Sequence, residues 1–344
     1  PSATDGDYAH YLLHAQAIAE GRSYSDIGFI HSDLNLVGPA NQPPGWPLVL
    51  APFVAVFGVH SGVFQLLVTV LVGAFGVTAG MYFLRRREPL VAMAVAAVVP
   101  LTLETQYATG SALSDPLFCL LVWLVLVVAD TEDRWSWRRA LAITLLSAAI
   151  IAVRVAGIAV VPALMLYAWL RPRPDRWRAL VPVLALLLLS LLIMVFAAEH
   201  VPFLGKVGNS IDNVGLGWNG LVSTYRHAYF ASTLYPFGGG RANDIYHLAM
   251  AVPFMVGAAL FARRRVRTLL WSFAVAYAAL LMVAPVRDAR YAWPLAPLAV
   301  AVIVGGLVWI GERVARDTFR SMVPRLVLGL VGFLALSATV QLSR

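Results

Sequence analysis

Apolar residues run along this chain in blocks about as long as a bilayer crossing, and the polar residues between the blocks are mostly arginine. A crossing helix needs roughly 17 to 25 predominantly apolar residues. Runs that meet this lie near 63–84, 89–105, 112–129, 179–198, 245–262, 268–284, 294–310 and 326–343. A further apolar stretch, 140–170, is too long for one helix and is interrupted by Arg154 and Gly157, so it predicts two short helices turning at Arg154. The pattern therefore predicts an all-α polytopic membrane protein with about ten transmembrane helices. It divides into an extracytoplasmic first loop, 1–62, and a transmembrane domain, 63–344, that includes a long loop at 199–244 rich in Gly and Asn.

The first loop has structure of its own. Tyr8, Tyr11, Leu12, Ala15, Ile18 and Ala19 recur at helical spacing, with His10, His14 and Glu20 off that stripe, which predicts an interfacial helix with a solvated histidine face. After the turn signal Gln42-Pro43-Pro44-Gly45, the 13 apolar residues Trp46 to Gly58 are too few to span, which suits a juxtamembrane or re-entrant helix. Tyr8, Tyr11, Trp46, Trp218 and Trp293 are expected in the aromatic belts at the membrane surface.

Charge fixes an expected orientation. Eighteen of the 26 basic residues fall in alternate connections: Arg85 to Arg87; Arg134, Arg138 and Arg139; Arg171, Arg173, Arg176 and Arg178; Arg263 to Arg265 with Arg267; and Arg313, Arg316, Arg320 and Arg325. Short loops rich in arginine stay in the cytoplasm. The net charge of +8 is thereby a record of topology, not the footprint of a nucleic acid. Eleven of the 18 carboxylates and all seven histidines then lie outside the cell, so the polar chemistry gathers on one face. Because that places the residues after Pro1 outside, a further transmembrane helix is expected before them.

Composition closes off other classes. With 60% hydrophobic and 13% charged residues, against about 25% charged in soluble domains, the chain is neither a soluble globular protein nor a disordered one. The single cysteine, Cys119, lies within an apolar run and permits no internal disulfide. No Walker loop, dinucleotide fingerprint or nucleophile elbow is present.

Asp7-Tyr8-Ala9-His10-Tyr11-Leu12, continuing to Ala19-Glu20-Gly21-Arg22, resembles the first external loop of the polyprenyl-phosphate-sugar-dependent glycosyltransferases of the GT-C superfamily, the group of the protein O-mannosyltransferases and aminoarabinose transferases. In that group an acidic residue opens a tyrosine-bearing helix, and the loop follows one transmembrane helix. Pro43-Pro44-Gly45-Trp46-Pro47-Leu48 is similar to the family's Pro-Pro-Gly-aromatic-Pro-Leu segment, and Ser114-Asp115-Pro116 to its second external loop. Val153-Arg154 and Arg290-Tyr291, with Pro294 and Pro297, are weaker matches to an arginine-bearing hairpin and a late Arg-Tyr segment. The likeness covers about 5–170 well and 287–300 loosely. It departs from the mannosyltransferases where Tyr8 stands beside Asp7 in place of a second acid.

What the resemblance implies is transfer of a sugar from a polyprenyl-phosphate carrier to an extracytoplasmic acceptor, a lipid, glycan or protein, at the outer face of the cytoplasmic membrane. Such a transfer needs a base for the acceptor hydroxyl and cations for the departing phosphate. The resemblance gives the base to Asp7, whose alternative is a helix cap. Asp115 could orient the acceptor, hold a divalent metal ion with Asp7, or cap its helix together with Pro116. Arg154, costly near the bilayer unless it meets an anion, could bind the donor phosphate or pair with an acid such as Glu104. Arg290 could bind phosphate or pair locally beside Arg287 and Asp288. His10 and His14, four residues apart, could hold a metal but read better as a solvated face. Lys206 and Arg226 read as solvated or headgroup-facing. Cofactor use is otherwise unknown. A transporter or lipid flippase is the rival class, and it should place ionisable groups at mid-membrane in paired halves.

The arginine pattern makes a direct prediction. A cysteine placed at position 212 should react with an impermeant maleimide on intact cells; protection until the cells are opened would reverse the orientation.

Overall fold

The computed structural model describes residues 7–27, 42–101, 113–130, 136–170, 180–186, 241–283 and 289–314, with isolated positions at 109, 110, 188, 325 and 329. Among the described residues the regular structure is helical, without strands. Ahead of the first long helix, α1 is Asp7–Ala19 and α2 is Gly45–Phe57. There follow α3 (Ser61–Arg85), α4 (Pro89–Val98, extended by a 3-10 turn to Leu101), α5 (Asp115–Ala129), α6 (Trp137–Val153) and α7 (Val160–Leu170). The later part gives α8 (Arg241–Arg265), α9 (Leu269–Val283) and α10 (Ala296–Val314), the last preceded by a 3-10 segment, Ala289–Leu295.

The helices follow the apolar runs closely, and α6 and α7 do part at Arg154. The helix α8 starts at Arg241, so the final residues assigned to the long loop open a helix instead. The rest of 199–244 lies outside the described residues, as do most of the runs 179–198 and 326–343, although 180–186 is helical. Two described helices are long and apolar enough to cross a membrane alone, Ser61–Arg85 and Arg290–Arg313, and five other apolar helices are of 10 to 17 residues.

The surface argues for lipid as the solvent. On α3, Phe64, Val68, Val72, Phe75 and Ala79 are buried in the bundle. The opposite side is no more polar: Leu66 is 66% and Val70 60% exposed. An outward apolar face of this extent is unfavourable in water and neutral against acyl chains. Helices α8 and α10 come so close at Gly257 and Gly306 that any side chain there would run into the backbone of Val302 or Pro253. Small residues at a crossing are what packing without a hydrophobic driving force requires.

Two poles organise the bundle. At one, the arginine-bearing turns converge. Asp130, at the end of α5 with its side chain only 1% exposed, lies 3.7 Å from Arg86. It accepts the Tyr82 hydroxyl at 2.9 Å and the backbone N–H groups of Leu269 and Leu270 at 2.7 and 3.1 Å. A single carboxylate thus caps α9 and ties it to α3 and α5, matching the positive end of the α9 dipole with a negative charge. Arg265 at the end of α8 pairs with Glu88 at the head of α4, and the Tyr167 hydroxyl of α7 donates to the Ala129 carbonyl at 3.0 Å. Trp137 and Trp169 lie exposed at this same end, the depth at which indole rings favour a membrane surface. At the other pole lie the start of α5, the α6 to α7 break and the external helices.

The belt expectation fails for four of the five named aromatics. Trp46, Trp293, Tyr8 and Tyr11 are buried; Trp218 is outside the described residues. Trp46 and the α1 tyrosines are buried within the two short helices, and Trp293 packs edge-on against Phe75 of α3 with ring centroids 5.8 Å apart.

Asp130→Ala should cost about 2 to 4 kcal/mol, from a lost cap and a stranded buried hydroxyl, and lower the melting temperature of the purified protein. Asp130→Asn, which still caps, should recover most of it. A melt unchanged in Asp130→Ala would contradict the role.

Candidate active site

The two helices ahead of the bundle hold one face against it. Helix α1 buries Tyr8, Tyr11, Leu12 and Ala15, the stripe read from the spacing, and adds Ala17 and His14. It ends in the Ala-Glu-Gly turn: Gly21 takes φ 67°, and the Arg22 N–H returns to the Ala17 carbonyl at 2.8 Å. That closure satisfies the last carbonyls of the helix and needs a residue at ease with positive φ. Outside it Arg22 and Glu20 pair at 2.7 Å on the surface.

His14 corrects the expectation of a solvated histidine face. Its ring is 1% exposed, stacks on Tyr24 with centroids 4.1 Å apart, and places Nδ1 2.8 Å from the Tyr24 carbonyl. A carbonyl can only accept, so Nδ1 carries the hydrogen. Burial holds this imidazole below its ordinary pKa, against the opposing pull of that carbonyl. The Tyr24 phenol, pushed up by burial, donates to the Gln42 carbonyl at 2.7 Å. His14 and Tyr24 therefore tie α1 to the strand of chain that enters α2, and the pair His10 and His14 is not a solvated face.

Beyond α1 lies the polar centre. The Tyr11 hydroxyl is 3.1 Å from Ser114 Oγ, a buried contact across 103 residues of sequence. Ser114 holds the cap position of α5 and Asp115 its first turn, with Pro116 beside it. Asp115 is consequently not the cap. Its Oδ1 pairs with Nη1 of Arg154, both side chains almost wholly enclosed. The acid expected for Arg154 was one such as Glu104, which is outside the described residues; the partner found is Asp115.

Arg154 reaches that position because the chain breaks beneath it. Its backbone is extended (φ −148°, ψ 139°), its N–H closes the last turn of α6 on Ile150, and the 3-10 turn Val155–Ala159 folds back so tightly that a Cβ on Gly157 would lie 2.6 Å from Ile150 Cγ2. The start of α2 presses on the same break: a Cβ on Gly45 would lie 2.7 Å from the Ala152 carbonyl. The glycine of the Pro-Pro-Gly segment is thus required by a helix packed onto the Arg154 turn.

The fourth residue joins through an aromatic ring. The Tyr291 ring centroid is 4.9 Å from the Arg154 guanidinium and 5.6 Å from that of Arg290. The segment carrying it is pinned from two helices, by Trp123 Nε1 donating to the Pro294 carbonyl at 3.0 Å and the Tyr277 hydroxyl to the Tyr291 carbonyl at 2.8 Å. Phe118 lies on the far side of Arg154, 5.9 Å away. Asp115, Arg154 and Arg290 therefore share one centre, and Tyr11, Ser114 and Tyr291 complete it. Sequence spacing pointed to Tyr11 as part of the stripe on an interfacial helix and to Tyr291 as part of a motif, with no signal that they would touch the charged groups.

Asp7 opens α1, one helical turn before Tyr11. Cys119 is buried in α5 as a free thiol. One oxygen of Asp115, Oδ2, is buried with no hydrogen-bond partner in the described structure. A cradle of two guanidinium groups and one bare carboxylate oxygen can receive an anion and accept one hydrogen bond. Among the described residues no three His, Cys, Asp or Glu gather as metal ligands.

No family model matches the chain, and no curated protein matches its sequence. A solved structure does: ArnT from Cupriavidus metallidurans in the apo state, an aminoarabinose transferase of the GT-C superfamily. The match spans 98% of this chain and 71% of ArnT at a TM-score of 0.55, with 16% of residues identical. At that identity the likeness is one of fold, and this chain shares the fold of ArnT over the length matched.

Proposed function

We propose that the protein is a membrane glycosyltransferase that moves a sugar from a polyprenyl-phosphate donor to an acceptor outside the cytoplasmic membrane, crossing that membrane about ten times with its arginine pole inward. The observation that carries this is the meeting of Asp115, Arg154 and Arg290 at the pole opposite the arginine turns, in a fold shared with ArnT. Helix α5 runs from Asp115 to Ala129, beside the arginine pole, so about 22 Å at 1.5 Å per residue separates the two poles. In a hydrocarbon layer about 30 Å thick, that lies well past the midplane, towards the surface away from the arginine pole. A transporter would need its ionisable groups midway.

The chemistry follows from the charges. The acceptor oxygen attacks the anomeric carbon as the bond from that carbon to the phosphate oxygen breaks, inverting the centre. The hydroxyl proton passes to the Asp7 carboxylate, and the electron pair leaves with the lipid phosphate. Arg154 and Arg290 face that growing negative charge, and guanidinium is the group whose forked donors match phosphate geometry. Asp115 holds Arg154 before the donor arrives, and its bare oxygen accepts a hydrogen bond from the acceptor.

General base catalysis is typically worth 10² to 10⁴ in rate. Asp7→Asn should therefore lower turnover at least a hundredfold, measured by mass spectrometry of products from a polyprenyl-phosphate sugar in detergent, with expression and donor binding kept. Asn caps a helix as well as Asp, so a cap alone would leave activity intact. Asp5→Asn is the matched control and should remain active; an active Asp7→Asn enzyme places the base elsewhere.

A further inference from the structure

The arginine pole holds a second feature, away from Asp115 and Arg154. A cavity of about 340 Å³ opens between α3, α4, α8 and α10, beside the turn that joins α3 to α4. Its floor is apolar, formed by residues such as Phe83, Leu260, Val302 and Trp309, and its mouth carries Arg87, Arg264, Arg265, Glu88 and Glu312. The charges do not cancel. Arg265 is taken up by Glu88. Arg87 and Arg264 are exposed, with no acidic partner among the described residues, and face a single acid, Glu312. Arg313 adds a further positive charge, its guanidinium 5.1 Å from the Trp309 ring.

An apolar slot beneath uncommitted guanidinium groups, at the membrane end of a helical bundle, matches a molecule with an anionic head and a hydrocarbon tail. We propose that this cavity binds an anionic phospholipid, with the phosphate at Arg87 and Arg264 and the upper part of one acyl chain on the α8 and α10 wall. Basic pockets between helices at the cytoplasmic surface are where acidic headgroups bind. The geometry of the wall favours a chain over a side chain. The crossing of α8 and α10 is closest at Gly257 and Gly306, and at the neighbouring Gly305, which lines the cavity, an added Cβ would meet nothing within 4 Å. The site lies at the opposite pole from Asp115 and Arg154 and does not depend on the transfer reaction.

The full chain, purified in detergent, is titrated with phosphatidylglycerol, phosphatidylethanolamine or inorganic phosphate and bound species are counted by native mass spectrometry. Phosphatidylglycerol should bind in preference to the zwitterionic lipid, and inorganic phosphate should neither bind detectably nor compete. Each arginine beside an anionic headgroup contributes about fivefold, so the double substitution Arg87→Gln with Arg264→Gln should weaken phosphatidylglycerol about 25-fold. Gly305→Leu fills the slot and suits a helix better than glycine; it should weaken the same lipid with every arginine in place, and serves as the test should the double variant not fold. Equal binding of the two lipids, competition by inorganic phosphate, or phosphatidylglycerol binding unchanged in Gly305→Leu would overturn the proposal.

Discussion

A carboxylate and a guanidinium enclosed together at a helix break set the terms for everything at the pole opposite the arginine turns. Enclosing two charges costs several kcal/mol each, and their attraction offsets this only with good geometry. The pairing of Asp115 with Arg154 therefore demands a rigid setting on both sides, and the structure supplies it. Asp115 is fixed in the first turn of α5, where Pro116 is compatible with a helix start. Arg154 is fixed by an extended residue between two helices, locked by Gly157 beneath it and by Gly45 at the head of α2. Because α2 packs on that turn and α1 on α2, the external segment is positioned by the same break that positions the charge.

The pair also explains why the centre is left incomplete. Arg154 satisfies one oxygen of Asp115 and leaves the other without a partner among the described residues, and a buried polar atom of that kind calls for a donor. The Tyr291 ring lies beside both Arg154 and Arg290. Cation to ring contacts shelter a charge and leave its donors directed elsewhere. By contrast both oxygens of Asp130 at the arginine pole accept from protein, from two backbone amides and a phenol. One buried carboxylate is saturated and structural, and the other is kept open.

Hydropathy alone carried most of the helices, since runs near 20 residues have no other stable form in lipid, and the break at Arg154 was legible because an arginine and a glycine interrupt an apolar run. The stripe on α1 was legible for the same periodic reason. What spacing could not show is which polar residues meet. Arg154 and Asp115 lie 39 positions apart on different helices, and nothing local says that they pair with each other; each had been given a separate task. His14 was misjudged because a histidine off an apolar stripe normally faces water, whereas here Tyr24 returns to cover it. Trp46 and Trp293 were misjudged because belt statistics describe helices that end at the surface, and these rings sit where short helices dock onto longer ones. Asp130 gave no signal, being one more charge in an arginine-rich turn.

Replacing both members of the pair separates support from chemistry. An enclosed ion pair exchanged for apolar residues of similar size is often neutral or stabilising, whereas removal of one partner costs about 3 to 5 kcal/mol. The double variant Asp115→Leu with Arg154→Met, followed by thermal melting and by transfer from a polyprenyl-phosphate sugar in detergent, measures the two roles at once. The account predicts a melting temperature close to that of the unaltered protein together with loss of transfer; a folded double variant that still transfers the sugar would contradict it.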